Sequence, residues 1–173
     1  TGEIGTGSTT FISDPNNPSP TIGGATLSQD LDQGPYDQSA LDGRTDIVTF
    51  SSIVLPIDIN TIGNVTLNLF VSSNQPDMDI SARLVDVYPD GTNMLITDGI
   101  KRMRFRNGYT LADEVFMENG VVYPVEVDLA VTNYTWKAGH QLKIYLGGNS
   151  GPRWDVNLQN GGEMYTPGTA NTA

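Results

Sequence analysis

Few residues in this chain could carry chemistry, and each has to be weighed against a plain structural duty. The sequence holds one histidine, His140, in Lys137-Ala138-Gly139-His140-Gln141, and no cysteine. Nucleophilic hydrolysis needs a nucleophile, an imidazole base and a carboxylate within hydrogen-bond reach of one another. Gly148-Asn149-Ser150-Gly151 has the outline of a nucleophile motif, but not the strand–nucleophile–helix setting that exposes a serine, and the chain contains no Gly-x-Ser-x-Gly elbow. His140 reads better as the anchor of a turn, bonded to a backbone group or a carboxylate. No catalytic residue is assigned. Asp77 and Asp79, two apart before an apolar run, have the raw chemistry of a Ca²⁺ site, although the spacing fits no EF-hand loop. Turn capping and cross-strand pairing account for them more simply, so they stand as weak calcium candidates, with no metal and no cofactor assigned. A glycosidase-type carboxylate pair would need two acids facing across a cleft, which spacing alone cannot show.

The remaining clusters point to binding rather than catalysis. Lys101, Arg102, Arg104 and Arg106 gather four of the nine cations into six residues. They could form an anion or partner site. The favoured reading is a strand face carrying Arg102, Arg104 and Arg106, paired across the sheet with acids such as Glu126 and Asp128. Trp136, Trp154, Tyr36 and Tyr165 could supply a stacking surface for sugar, though strand-borne aromatics belong first to a core. Asn64-Val65-Thr66 and Asn133-Tyr134-Thr135 match the glycosylation tripeptide, a weak signal without a secretory origin in eukaryotes.

Composition narrows the classes. The 173 residues carry a net charge of −11, which argues against phosphate neutralisation and hence against a nucleic-acid partner. It argues equally against docking on an anionic membrane, and no stretch approaches the roughly 18 apolar residues of a membrane-spanning helix. Without cysteine there is no disulfide framework and no thiolate zinc site. That absence suits an exported bacterial protein without fixing the compartment. Apolar residues at 38% of the chain support a real core.

The elements that must position these residues are strands. Val65, Leu67, Leu69 and Val71 alternate with polar residues, apart from Phe70, and predict a strand with one buried face. Val125, Val127 and Leu129 do the same against Glu126 and Asp128, as do Leu142, Ile144 and Leu146 against Lys143 and Tyr145. Ser81–Tyr88 is a less regular strand, because Leu84 and Val85 are adjacent. Ile100–Arg106 is expected to be a strand with Met103 and Phe105 on one face; Ile47–Phe50 and Val131–Trp136 are shorter candidates. Asp42-Gly43, Asp90-Gly91, Asp98-Gly99, Asn107-Gly108, Asn119-Gly120 and Asn160-Gly161 are expected turns, because Asx-Gly pairs tolerate positive φ. The only helical candidate, near Leu111–Met117, is one or two turns at most. The pattern predicts an all-β protein, an antiparallel sandwich or jelly roll. An extended N-terminal segment over residues 1–25 is expected to wrap a single β-sandwich spanning 26–173.

Several motifs, in order, resemble one hydrolase family. Asp14-Pro15-Asn16-Asn17-Pro18-Ser19-Pro20-Thr21-Ile22-Gly23-Gly24 is similar to its YDPxxPxPTxGG segment. Gly34-Pro35-Tyr36-Asp37-Gln38 with Arg44-Thr45-Asp46-Ile47-Val48 resembles GPxDQ…RxDVL. Asp77-Met78-Asp79 with Leu84-Val85-Asp86-Val87-Tyr88-Pro89-Asp90-Gly91 resembles DTD…LVDVYPDG. Asp98-Gly99-Ile100-Lys101-Arg102, Gly139-His140-Gln141-Leu142, Ser150-Gly151-Pro152-Arg153 and Asn157 continue the run. Together, over about residues 11–165, they resemble the C-terminal domain of the X-Pro dipeptidyl-peptidase and cocaine-esterase-like acyl hydrolases. The resemblance implies a jelly-roll sandwich of the galactose-binding-domain type, packed on a separate α/β-hydrolase domain that holds the Ser-His-Asp triad. It implies that this region is non-catalytic, shapes the active-site entrance or contributes to homo-oligomer contacts, and that Asp86, Asp90, Arg44 and Arg153 tie loops to strands. The hydrolase domain and a closing SxLxLP strand have no counterpart in the sequence, and the first residue is not Met, so a piece of a longer protein with one open sheet edge is expected. A carbohydrate-binding module is the alternative reading.

Overall fold

The computed structural model describes residues 7–163, together with Gly168 and Ala170. Six strands account for its regular structure: β1 (Ile47–Ser51), β2 (Ile59–Val71), β3 (Asp79–Val87), β4 (Asn93–Arg102), β5 (Tyr123–Trp136) and β6 (Gln141–Gly147). The described helical turns are short 3₁₀ pieces, including Leu111–Asp113 within the one stretch where a helical turn is expected.

The strands form two antiparallel layers. One is a four-stranded sheet in the order β1-β6-β3-β4; the other is the long ribbon β2-β5. Their facing side chains make the main core, in which Ile80, Ala82 and Leu84 of β3 meet Val125, Val127 and Leu129 of β5, closed by Met103 and Trp136. The alternation read in β2 and β5 is observed; in β6 Leu142, Ile144 and Leu146 do pack on the main core, but Tyr145 on the other face is fully buried as well. The adjacency of Leu84 and Val85 has a structural reason: β3 is buried on both faces. Leu84 enters the main core, while Val85 enters a second cluster with Leu41, Ile47, Leu95 and Tyr145 on the opposite face of the same sheet. A central strand covered on both sides loses the polar alternation of a half-exposed one.

That second face is covered by the N-terminal chain. Ser19 donates its N–H to Asn149 Oδ1 and its hydroxyl to the Asn149 carbonyl, Thr21 N–H reaches the Gly151 carbonyl, and Gln159 Nε2 reaches the Ser13 carbonyl. The 36–38 stretch runs along the start of β4, where Gln38 N–H donates to the Asn93 carbonyl and Leu95 N–H to that of Tyr36. These segments are ordered by hydrogen bonds rather than by apolar runs, so hydropathy shows only that they are loops.

Two expectations are corrected. The Ile100–Arg106 strand ends at Arg102, and Met103–Phe105 turns off as a 3₁₀ piece with Met103 and Arg104 both buried. Asp98-Gly99 is no turn: it lies inside β4 and pairs with β3. Gly43, Gly91, Gly120 and Gly161 do take positive φ, as their Asx-Gly pairs require.

β2 and β5 slip register between Asn64 and Thr66, leaving an extra residue on β5. Ala130 absorbs the bulge at φ 66°, its N–H held by Asp128 Oδ1 at 2.8 Å. A left-handed conformation costs an alanine about 1–2 kcal/mol. Ala130→Gly is therefore expected to raise the unfolding free energy by about 1 kcal/mol, net of the added chain entropy, in a denaturant titration.

The ribbon covers the four-stranded sheet unevenly. Inward residues of β5 are essentially inaccessible, whereas Val65, Leu67, Leu69 and Val71 of β2 are only half-buried. Phe50 lies opposite Ile144 in the β1–β6 ladder and so shares the inner face, yet it is 51% exposed. The flank over β1 and β6 lacks a strand's width of cover among the described residues.

Candidate functional site

Each cluster singled out in the sequence has a location in the fold, and most are fastenings. His140 follows the turn after β5, where its Nδ1 sits 2.9 and 3.0 Å from the two carboxylate oxygens of Asp86, and its ring lies 4.7 Å from that of Tyr88. The same buried carboxylate accepts the Tyr134 hydroxyl at 2.7 Å. Burial and that hydrogen bond push the Tyr134 phenol well above its ordinary pKa. Among the described residues, no Ser, Thr or Tyr hydroxyl hydrogen-bonds to His140. The His-Asp pair ties the turn before β6 to the end of β3, the turn-anchoring role read for His140 and the loop-tying role read for Asp86.

Asp77 and Asp79 enter β3 with their side chains buried. Asp77 accepts Arg104 N–H at 2.9 Å, Arg104 Nε at 2.6 Å and Asn157 Nδ2 at 2.7 Å. Asp79 takes a two-point contact from Arg102 at 2.8 and 2.9 Å and a bond from Asn157 at 2.9 Å. These oxygens are saturated by guanidinium and amide donors. No group of three or more His, Asp or Glu side chains among the described residues is arranged to hold a metal ion.

Two cations of the basic run pair with acids, but not the expected ones. Arg102 goes to Asp79, and Arg104 to Asp77 and Glu114. Arg106 donates to the Met103 and Val115 carbonyls and lies 4.2 Å from the Tyr123 ring. Glu126 and Asp128 are exposed on β5, whose ladder partner is β2. The end of β4 at Arg102 breaks the alternation that would have aligned the three arginines.

Arg44 holds Asp46 at two points and the Asn17 carbonyl, and Arg153 holds Asp98 at 2.6 Å and the Ala25 carbonyl, so both tie the N-terminal chain to the sheet. Asp90 does less, capping only its own turn at Thr92 N–H. Buried polar anchors that the sequence did not single out are Gln38, Arg83, Asn149 and Gln159. Arg83 donates to the Pro20 carbonyl and the Ser150 hydroxyl, and burial pushes its pKa down to about 10. Nothing in periodicity marks such residues, because their partners lie far away in sequence.

Of the rings proposed as a sugar platform, the two tryptophans do not form one. Trp136 is in the core, and Trp154 has Arg153 over its ring at 4.1 Å. Tyr165 lies outside the described residues.

Fold and clusters together define an all-β sandwich in which several buried ionisable groups hold loops to strands. The chain belongs to the family of the X-Pro dipeptidyl-peptidase C-terminal non-catalytic domain, whose profile matches residues 13–171. It is 38% identical over 153 residues to the cocaine esterase of Rhodococcus sp. (strain MB1 Bresler), covering 88% of this chain and 26% of the esterase. Among solved structures, an aminopeptidase from a marine sediment Thaumarchaeota archaeon superposes with a TM-score of 0.81 at 21% identity, over 94% of this chain and 29% of that one. An α-amino acid ester hydrolase superposes with a TM-score of 0.76 at 20% identity, again over 94% and 29%. At such identities the two structures speak for the fold alone. The chain spans about a quarter of the length of these hydrolases.

Proposed function

We propose that this chain is the accessory β-sandwich of a serine hydrolase acting on esters, amides or X-Pro peptides, and that it packs on an α/β-hydrolase domain and helps shape the approach to its active site. The observation that carries this reading is the unfinished flank. Phe50, Ile53, Val54 and Ile57 are all more than half exposed within one short stretch of chain. Phe50 on the inner face of β1 and the exposed apolar residues that follow it, Ile53, Val54 and Ile57, support a surface that another polypeptide covers. The chemistry then resides in the covering domain, which agrees with an imidazole at His140 to which no described Ser, Thr or Tyr hydroxyl bonds.

Two measurements test it. The chain alone, given p-nitroanilide and nitrophenyl-ester substrates, is expected to give no turnover above buffer; clear turnover abolished by His140→Ala would overturn the proposal. In the whole parent hydrolase, Phe50→Ser combined with Ile53→Ser is expected to lower thermal stability and loosen the two domains, read by limited proteolysis. Unchanged proteolysis would remove this flank as the packing surface.

A further inference from the structure

Three of the Asx-Gly motifs are Asn-Gly pairs: Asn107-Gly108, Asn119-Gly120 and Asn160-Gly161. Such a pair can react with itself. The glycine amide nitrogen lies within ring-closing reach of the asparagine side-chain carbonyl, and a residue without Cβ puts nothing in the way of the five-membered ring. The reaction is helped when that N–H is unengaged, when the side-chain carbonyl is polarised, and when water has access. All three asparagines are exposed, so access does not separate them. Hydrogen bonding does. Gly120 donates its N–H to the Ser73 carbonyl at 2.9 Å, and Gly108 donates its own to the Phe105 carbonyl at 3.4 Å. The Gly161 N–H meets no acceptor among the described residues. The carbonyls differ as well. Gly162 N–H donates to Asn160 Oδ1 at 2.8 Å, whereas among the described residues Oδ1 of Asn107 and of Asn119 accepts no hydrogen bond. A fixed donor on that oxygen stabilises the negative charge it gains when its carbon is attacked.

We propose that Asn160 is a modification site, the position at which this chain preferentially deamidates to aspartyl and isoaspartyl forms. Gly161 N gives up its proton to solvent base and attacks Asn160 Cγ. The N–Cγ bond forms, the Cγ–Nδ2 bond breaks, and Nδ2 leaves as ammonia with a proton taken from water. Water then opens the resulting succinimide. Attack at Cγ yields aspartate; attack at the main-chain carbonyl carbon yields isoaspartate, with the backbone rerouted through the former side chain. No electrons are transferred, and water is the only co-reactant. Either product adds one negative charge two residues before Gly162, whose carbonyl accepts Arg104 Nη1 at 2.8 Å. Rerouting also lengthens the backbone by a methylene, so the isoaspartyl form weakens one hold on the Arg104 fastening.

The test ages the intact chain in mildly alkaline buffer and follows the three Asn-Gly peptides by mass spectrometry, with isoaspartate scored separately from aspartate. A parallel sample in guanidinium chloride supplies the rates without native hydrogen bonds. In the native chain Asn160 is expected to react first. Asn119 is expected to lag it by about fivefold or more, the worth of one net backbone hydrogen bond. Asn107, whose glycine makes the longer bond, should fall between them. In guanidinium chloride the three rates should converge. Equal native rates at all three sites, a native rate at Asn107 or Asn119 above that at Asn160, or no conversion at Asn160 in the time the denatured chain takes to react would each overturn the proposal.

Discussion

Asp77→Ala is expected to destabilise the domain by about 3–5 kcal/mol, the cost of removing one partner of a fully buried ion pair. Asp77 is inaccessible to solvent and Arg104 is 4% exposed, so water cannot replace the lost carboxylate. The substitution also strips acceptors from Arg104 N–H and Asn157 Nδ2, two segments that this side chain helps to join. Glu114 and the Gly162 carbonyl keep a hold on Arg104 Nη1 but leave Nε unpaired. Against a total stability of about 5–15 kcal/mol, such a loss unfolds a large fraction of molecules at physiological temperature. The measurement is a denaturant titration at constant m-value, with Arg104→Met added to Asp77→Leu as the companion. Replacing both partners by apolar side chains should recover much of the loss, since the penalty arises from an orphaned charge rather than from a missing attraction. A loss below about 1 kcal/mol for Asp77→Ala would show that the pair is wetter than the structure places it.

The strands that pack against one layer were legible because their chemistry is local. Val125, Val127 and Leu129 alternate with exposed acids, and that alternation is the fold's inner face written in period two. β3 was harder, since burial on both faces leaves Ser81, Arg83 and Asp86 inside as well as the aliphatics. The end of β4 was misread for a related reason. Met103 and Phe105 keep the strand period by sequence, but the backbone turns at Met103 so that Arg104 can reach Asp77. No local pattern carries a contact of that range. Ionic fastenings show the same division. That Arg102, Arg104 and Arg106 would pair with acids was expected from charge; that Arg102 and Arg104 would take Asp79 and Asp77, and Arg106 two backbone carbonyls instead of an acid, followed only from tertiary structure. Ordered motifs over the whole chain succeeded where single-residue reasoning stopped, because they mark these long-range partners together.

Gly99→Ala tests the layering itself. The residue was read as half of a turn, on the grounds that Asp-Gly pairs favour positive φ, but it sits in β4 where β5 crosses closest. A methyl group at this position would collide with the backbone carbonyl of Asp128 and come within 3.1 Å of Leu129 Cδ2. The obstacle is main chain held in the β2–β5 ladder, so no rotamer change relieves it. β5 must lift away from the sheet instead, loosening the Thr97 hydroxyl's bond to the Leu129 carbonyl and opening the site of Val127 and Leu129, both fully buried. Interiors packed to crystal density absorb such shifts poorly. The expected cost is about 3 kcal/mol, at the upper end for an overpacked core. Gly91→Ala supplies the contrast: its φ is +91° but its added Cβ meets nothing within 4 Å. That variant should lose about 1–2 kcal/mol from backbone strain alone. Hydrogen exchange separates the two mechanisms, because Gly99→Ala should accelerate the amides of Val127 and Leu129, whereas Gly91→Ala should leave them protected. Equal losses with β5 protection intact in both would mean that the two layers are not spaced by glycine at this crossing.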